Sequence, residues 1–243
     1  MENLSEKKNV IEQMFANYPK ITGIDDKTLS KFAILTDFLL SENEKYNLTA
    51  IRSFEQAVQK HIYDSITIAP YLSKNAKIVD IGSGAGFPAL PLAILRPDLK
   101  VVAVDSTAKK VGFINQVAEL LELSNATAVC GRAEELSAPG EAFRERFDCC
   151  VARSVAELRI LSEFCIPFVK KSGIFLAMKS QSALHEIKDA ENAAKMLGCK
   201  SAPNIISLYQ SDNDYRMVWI FEKTDKTPDK YPRKFAQIKK KPL

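Results

Sequence analysis

IVDIGSGAGFP, residues Ile78 to Pro88, is a short apolar run that closes on an acid and then on three alternating glycines. Ile78, Val79 and Ile81 suit a strand buried on both faces, and Gly82, Gly84 and Gly86 allow turn dihedrals and close approach of backbone to a ligand. Pro88 fits the first position of a following helix, where a missing amide hydrogen is harmless. Strand, glycine loop and helix in that order describe the cofactor-holding turn of an α/β domain. Asp80 also has a structural reading, as a cap for loop amides.

A second apolar run, Val101 to Val104, ends in Asp105 about twenty residues after the loop, where a carboxylate can accept both hydroxyls of a ribose. That acid is common to dinucleotide and other nucleoside sites. The loop separates them: a dinucleotide fingerprint places glycine or alanine three positions after Gly84, where Phe87 stands. A phosphate-cradling P-loop needs a glycine, lysine and hydroxyl series that Phe87 and Pro88 replace. The loop points instead to S-adenosylmethionine, and the acid after the second strand supports a nucleoside without choosing between cofactors.

Outward from the loop, apolar periodicity predicts strands at 77–81, 101–104, 126–130, 147–152 and 174–178, with helices near 89–95, 108–123, 158–168 and 184–197 between or after them. Alternation of this kind builds a parallel sheet. Two last runs, 205–209 and 216–221, have no helical stretch between them and are expected to pair antiparallel. Before the loop, Leu29, Phe32, Ala33, Leu35, Thr36, Phe38, Leu39 and Leu40 recur at helical spacing, with Asp25 or Asp26 as the cap. Further helices are expected at 10–18 and 61–71. This predicts a Rossmann-like α/β methyltransferase fold: a mostly parallel seven-stranded sheet with helices on both faces and an N-terminal helical extension. The expected parts are a helical region (1–72), the methyltransferase domain (73–222) and a basic tail (223–243).

The 243 residues carry a net charge of +4, but the last 21 hold seven lysines, one arginine and two aspartates, a net +6, so the preceding chain stands at −2. A tail of this composition is either a solvated arm or a contact for a polyanion. Cys130, Cys149, Cys150, Cys165 and Cys199 make no CxxC pair and no spacing with histidine that suits zinc, so neither a metal nor a disulfide framework is expected. No run is long enough to span a membrane, and MENLSEKKNV precedes no signal-type apolar core, so a cytoplasmic protein is expected.

Ligands of open sheets lie beyond the carboxyl ends of the strands. The residues there are Asp80 to Gly86, Asp105 with Ser106, Arg132 to Glu134, Arg153 with Ser154, and Lys179 with Ser180. Arg132, Arg153 and Lys179 would form a cationic cluster on that edge, although each alone could be a structural ion pair.

These blocks, with YNLTAI (Tyr46 to Ile51), HIYDS (His61 to Ser65), DSTAKK (Asp105 to Lys110), GRAEEL (Gly131 to Leu136), ARSVAEL, LAMKS and YPRK, occur in the order found in one family. The chain resembles the bacterial glucose-inhibited division protein B family, the guanine-N7 methyltransferases of 16S ribosomal RNA. The resemblance spans most of the chain and departs at Ala89 and Ser180, where the family usually has glycine. It implies that Gly82, Gly84 and Phe87 line the methionine and nucleoside side of S-adenosylmethionine, with Asp105 at the ribose and Ala133 and Glu134 at the adenine end. It implies also that Arg153 lies beside cofactor and substrate, and that Arg132 and Lys179 are catalytic cations. The implied partner is 16S rRNA or the small subunit, bound by a monomer without metal or membrane. His61 and Asp64 match the family as well, His61 more simply as a packing or capping residue.

Guanine N7 carries a free lone pair, so methylation there needs no general base, and orientation is expected to dominate, at roughly 7 to 11 kcal/mol. A bidentate arginine grip on O6 and N7 would occupy the nucleophile, so Arg132 and Arg153 are expected to hold phosphate, O6 alone or cofactor. The target base is expected in a loop or extruded. Helical region and tail are the expected RNA-facing parts, and deletion beyond Lys230 is expected to flatten the salt dependence of RNA binding. The alternatives are a small-molecule methyltransferase of the same fold and a non-catalytic ribosome-assembly factor.

Overall fold

The computed structural model describes residues 3–19, 21–153, 156–200, 202–211 and 214–243. Ser154, which follows Arg153 at a strand end, lies outside them. Helices α1 (Leu4–Ala16) and α2 (Asp26–Tyr46) open the chain, followed by α3 (Phe54–Ala57), a π-helical turn (Val58–Tyr63) and α4 (Asp64–Ile66). Then come β1 (Lys77–Ile81), α5 (Ala89–Leu95), β2 (Lys100–Asp105), α6 (Ala108–Leu120), β3 (Ala126–Cys130), α7 (Ala133–Leu136) and β4 (Phe147–Arg153). The remainder is α8 (Leu158–Cys165), β5 (Val169–Ser180), α9 (Ile187–Met196), β6 (Asn204–Ser211), β7 (Asp214–Glu222) and α10 (Phe235–Lys240).

The seven strands run in the order β3-β2-β1-β4-β5-β7-β6. β1 pairs parallel with both β2 and β4, and β7 lies antiparallel between β5 and β6. The expected mostly parallel sheet and closing antiparallel pair are what the structure contains. Strand order reverses at β1 and β4, so the crevice beyond their carboxyl ends is where such a sheet accepts a ligand.

Period-two alternation divides the central strands between two cores. Ile78, Cys149, Val151 and Leu176 face one; Val79, Cys150, Ala152 and Phe175 face the other. The first core is shared with the N-terminal helices through Ile11, Phe32, Leu35 and Leu39, each at most 1% exposed. Complete burial of such a side chain contributes roughly 1.5 to 3 kcal/mol, which fixes the helical region to the sheet. α2 begins at Asp25, whose carboxylate accepts the Thr28 amide at 2.8 Å, and ends at Asn47 in the left-handed region (φ 51°). α5 lies beneath this layer, and every one of its residues is buried.

Two expectations are corrected here. The segment expected as one helix at 61–71 is broken into the π-helical turn, α4 and a single 3-10 turn, Ala69–Tyr71, with Pro70 inside it. Pro70 cannot donate to the preceding turn, so the helical ladder ends before it. Pro88 precedes α5 as its N-cap (φ −92°, ψ 0°) instead of occupying its first position, and the Ala89 amide, one of the first-turn donors without an intrahelical partner, is taken by Asp80 (3.1 Å).

Candidate functional site

The glycine loop is fastened to the ends of β1 and β2. Gly82 and Ser83 donate their amides to the Val104 carbonyl at 2.9 and 3.0 Å. Gly84 donates to Asp105 Oδ2 (3.0 Å) and Thr107 to Oδ1 (2.9 Å), so the carboxylate that closes β2 also shapes the loop. Each oxygen retains one acceptor position, enough for a pair of hydroxyls. Gly82, Gly84 and Gly86 all have positive φ (70°, 59° and 87°), a conformation that side chains with a Cβ seldom adopt.

Behind the loop, Asp80 is completely buried. Burial pushes its pKa up to about 7, against the Ala89 amide and the Arg153 charge, which favour the carboxylate. Asp80 Oδ1 and the buried Ser83 Oγ have no hydrogen-bond partner among the described residues. The unpaired Ser83 hydroxyl lines a cavity beside Gly84, where a Cβ would meet nothing within 4 Å, and so fits a polar ligand carrying its own donor.

Two cavities meet at this loop. One, of about 380 Å³, is lined by Gly82, Asp105, Ser106, Lys110, Gly131, Arg132, Ala133, Glu134, Arg153, Phe164 and Phe235. The other, of about 290 Å³, is lined by Leu48, Thr49, His61, Asp64, Gly82, Gly84, Phe87, Arg153 and Arg216. Gly82 and Arg153 belong to both.

Arg153 is held firmly at the junction. Nη1 donates to the Lys60 carbonyl (2.8 Å) and to Asp64 Oδ2 (3.1 Å), and Nη2 to His61 Nδ1 (3.2 Å). Because a guanidinium only donates, Nδ1 is the acceptor; the imidazole proton is then on Nε2, which donates to Thr49 Oγ1 at 2.8 Å. Burial, and then the Arg153 charge, lower the His61 pKa to about 3, so the ring is neutral. It stacks on Phe87 with centroids 4.5 Å apart and planes at 15°. Asp64, 5% exposed, also accepts from the Tyr209 hydroxyl at 3.1 Å, and Arg216 approaches it at 4.0 Å.

Of the residues that the sequence marks as site candidates, Gly82, Asp105, Arg132, Ala133, Glu134 and Arg153 line the larger cavity, and Gly84 and Phe87 the smaller. Glu134 is 8% exposed, and its pKa is raised by that burial. The Arg132 side chain is half exposed on the rim, 3.9 Å from Glu134. Lys179 is brought to neither cavity: its ammonium donates to the Ala156 carbonyl (2.7 Å) and pairs with Glu186 (3.1 Å), with 10% of the side chain exposed. The three cations therefore do not form one cluster.

Arg216, Tyr209 and Phe235 carry no such mark in the sequence. The first two lie within strands, whose interior residues have no end-of-strand signal; Phe235 belongs to the tail and lies far from the loop along the chain. The tail is no free arm. Tyr231 (5%) and Ile238 (0%) enter the second core, and Arg233 is clasped to the buried Glu163 through Nε (2.9 Å) and Nη2 (2.6 Å). Lys223, 1% exposed, donates to Thr227 Oγ1 at 2.7 Å and to Glu145, Ile166 O and Val169 O at 3.1 Å. Among the described residues no three His, Cys, Asp or Glu side chains are grouped to hold a metal, and no helix is long and apolar enough to cross a membrane.

The fold is similar to that of M. jannaschii TYW2, solved in complex with AdoMet (TM-score 0.54, 17% identity, 68% of this chain and 77% of that one). It is similar also to geranyl diphosphate C-methyltransferase of Streptomyces coelicolor (TM-score 0.51, 12% identity, 67% and 79%). In sequence, the ribosomal RNA small subunit methyltransferase G of Acetivibrio thermocellus is 41% identical over 223 residues, 91% of each chain. That of Staphylococcus saprophyticus is 42% identical over 222 residues (90% of this chain, 92% of its own), and that of Bacillus cereus 41% over 243 residues, 99% of each. The family model described as rRNA small subunit methyltransferase G matches residues 28–211, from early in α2 to the end of β6. Matched along nearly its whole length by such relatives, the chain belongs to the rRNA small subunit methyltransferase G (GidB) family.

Proposed function

We propose that the protein transfers the methyl group of S-adenosylmethionine to N7 of a guanine in 16S ribosomal RNA. The observation that carries this is the pair of adjoining cavities at the strand-order reversal, one lined by the Asp105 carboxylate, the other by neutral His61, with Arg153 in the wall of both. The larger cavity is of a size that suits a nucleoside cofactor, since ligand pockets run from about 300 to 1,000 Å³.

When bound, the cofactor supplies an electrophilic methyl on a sulfonium sulfur. Everything else falls to the chain. Asp105 would hold the ribose, Ala133 and Glu134 the adenine end, and Gly82, Gly84 and Phe87 the methionine side. Arg153 would orient both partners: its Nη1 is engaged by Lys60 and Asp64, leaving Nε and one Nη2 hydrogen for ligands. Neutral His61 adds no charge beside a purine that becomes cationic on methylation, and no general base is required because N7 has its lone pair free. Arg132, on the rim, is suited to RNA phosphate. Lys179, tied to Glu186 and Ala156 O, would act by positioning the segment after β4 rather than by touching the acceptor.

The proposal includes a single chain acting without a metal ion, since one chain lines both cavities and attack by a free lone pair needs no Lewis acid. It assigns the protein to the cytoplasm with its ribosomal substrate, and treats 1–72, 73–222 and 223–243 as helical region, methyltransferase domain and C-terminal segment. Radiolabelled cofactor incubated with purified small subunits and with free RNA, followed by nucleoside digestion, tests it. Label in 7-methylguanosine is expected; label in another nucleoside, or none, would reject it.

A further inference from the structure

The larger cavity has chemically distinct sides. Asp105, Arg132 and Glu134 bring charge to it, and Phe164 and Phe235 bring aromatic surface. The two rings are stacked, with centroids 6.1 Å apart and planes at 14°. The Arg132 guanidinium carbon lies 5.0 Å from the centre of the Phe235 ring. Phe235 is 43% exposed, although it is a large apolar residue in a segment that buries Tyr231 and Ile238. A ring so placed, lining the same cavity as the Asp105 carboxylate, matches a ligand with apolar faces and polar edges, which is the shape of a purine nucleoside.

The ring is also held from behind. Arg233, two residues earlier, is clasped to Glu163 on α8, the helix that carries Phe164. Arg233 Nη1 donates to the Lys241 carbonyl at 3.0 Å, tying the two ends of α10 together. Ile238, one turn beyond Phe235, is fully buried. A wall anchored by a buried carboxylate and a core isoleucine loses little entropy when a ligand arrives.

We propose that Phe235 is a cofactor-binding residue: with Phe164 it forms the aromatic wall against which the adenine ring of the donor lies, so the C-terminal segment completes the cofactor site. This rests on the larger cavity taking the nucleoside of S-adenosylmethionine. It gives the segment a task other than RNA binding, and separates Phe235 from the exposed lysines that follow it.

Titration of S-adenosylhomocysteine into the full-length protein, followed by calorimetry, tests the assignment. Phe235→Ala is expected to weaken binding roughly tenfold, the scale of one base stacked on an aromatic ring, and Phe235→Leu by less. RNA affinity, measured separately, is expected to stay within twofold of the wild type. An alanine variant that keeps its S-adenosylhomocysteine affinity overturns the proposal, whether or not RNA binding falls. Wild-type protein that takes up none of the compound overturns the larger cavity as the nucleoside site, and this assignment with it. Phe235→Trp supplies a readout that survives loss of fold in the alanine variant: its indole emission is expected to change on saturation, against the constant background of Trp219, which is fully buried. Saturation without a change in emission overturns the proposal.

Discussion

Arg153 is fixed by three acceptors of different kinds: a carbonyl, a carboxylate and an imidazole nitrogen. Lysine keeps the charge but cannot meet all three from one point, so Arg153→Lys is expected to lower kcat/KM for methyl transfer roughly a hundredfold, the cost of about 1 Å of misplacement. A decrease of less than threefold would remove Arg153 from the site. His61 and Asp80 make a pH test. The His61 pKa, about 3 in the folded chain against 6.5 ordinarily, means that the unfolded chain alone takes up its proton between those values. Its contribution is therefore complete above pH 6.5 and declines as pH falls toward 3. Asp80, about 7 against 3.8, works in the opposite sense: the folded chain keeps the proton, and stability falls as pH rises across that window. Each slope reaches at most about 1.4 kcal/mol per pH unit. In urea titrations between pH 4 and 6.5, His61→Gln should become less stable as pH rises and Asp80→Asn more steeply stable than the wild type. Parallel profiles for all three proteins would refute both assignments.

At the scale of elements, what the sequence discloses depends on how local the cause is. Strand, glycine loop and second acid are neighbours in the chain, so the crevice and Asp105 are legible from residues alone. α2 declares itself through its apolar stripe and the Asp25 cap. The π-helical turn from Val58 to Tyr63 does not, because its apolar residues also suit an ordinary helix, and its broken course answers to tertiary partners such as Arg153 on Lys60 O. The C-terminal segment is legible only as charge; its anchorage depends on Glu163, 70 positions from Arg233, and on Glu145, 78 from Lys223. One glycine sets the return toward that segment. Gly198 has φ +91°, and a Cβ on it would stand 2.5 Å from the Asp225 carbonyl oxygen. Gly198→Ala is expected to lower stability by roughly 1 to 3 kcal/mol in urea denaturation. An unchanged midpoint would show that the turn can relax without strain.

For the whole molecule, charge is unevenly shared. The chain before residue 223 is slightly acidic in net count, and the C-terminal segment carries the positive excess. Because Lys223 and Arg233 are committed to buried partners, the lysines exposed at the very end are Lys239, Lys240 and Lys241. Replacing these three with glutamine is expected to flatten the dependence of log affinity for RNA on log salt by roughly 0.7 to 0.9 for each phosphate that is no longer neutralised, with S-adenosylhomocysteine affinity unchanged. A slope equal to that of the wild type would exclude them from the RNA interface.

Gly82 and Arg153 stand in the wall of both cavities, so the two chambers adjoin at one glycine and one arginine. A bisubstrate compound, adenosine joined to a guanine by a short chain passing this partition, could therefore occupy both at once. Tethering would turn the second binding step into an intramolecular event and raise avidity well above that of either half. The shared wall thus offers a design for inhibitors selective against methyltransferases whose chambers are set farther apart.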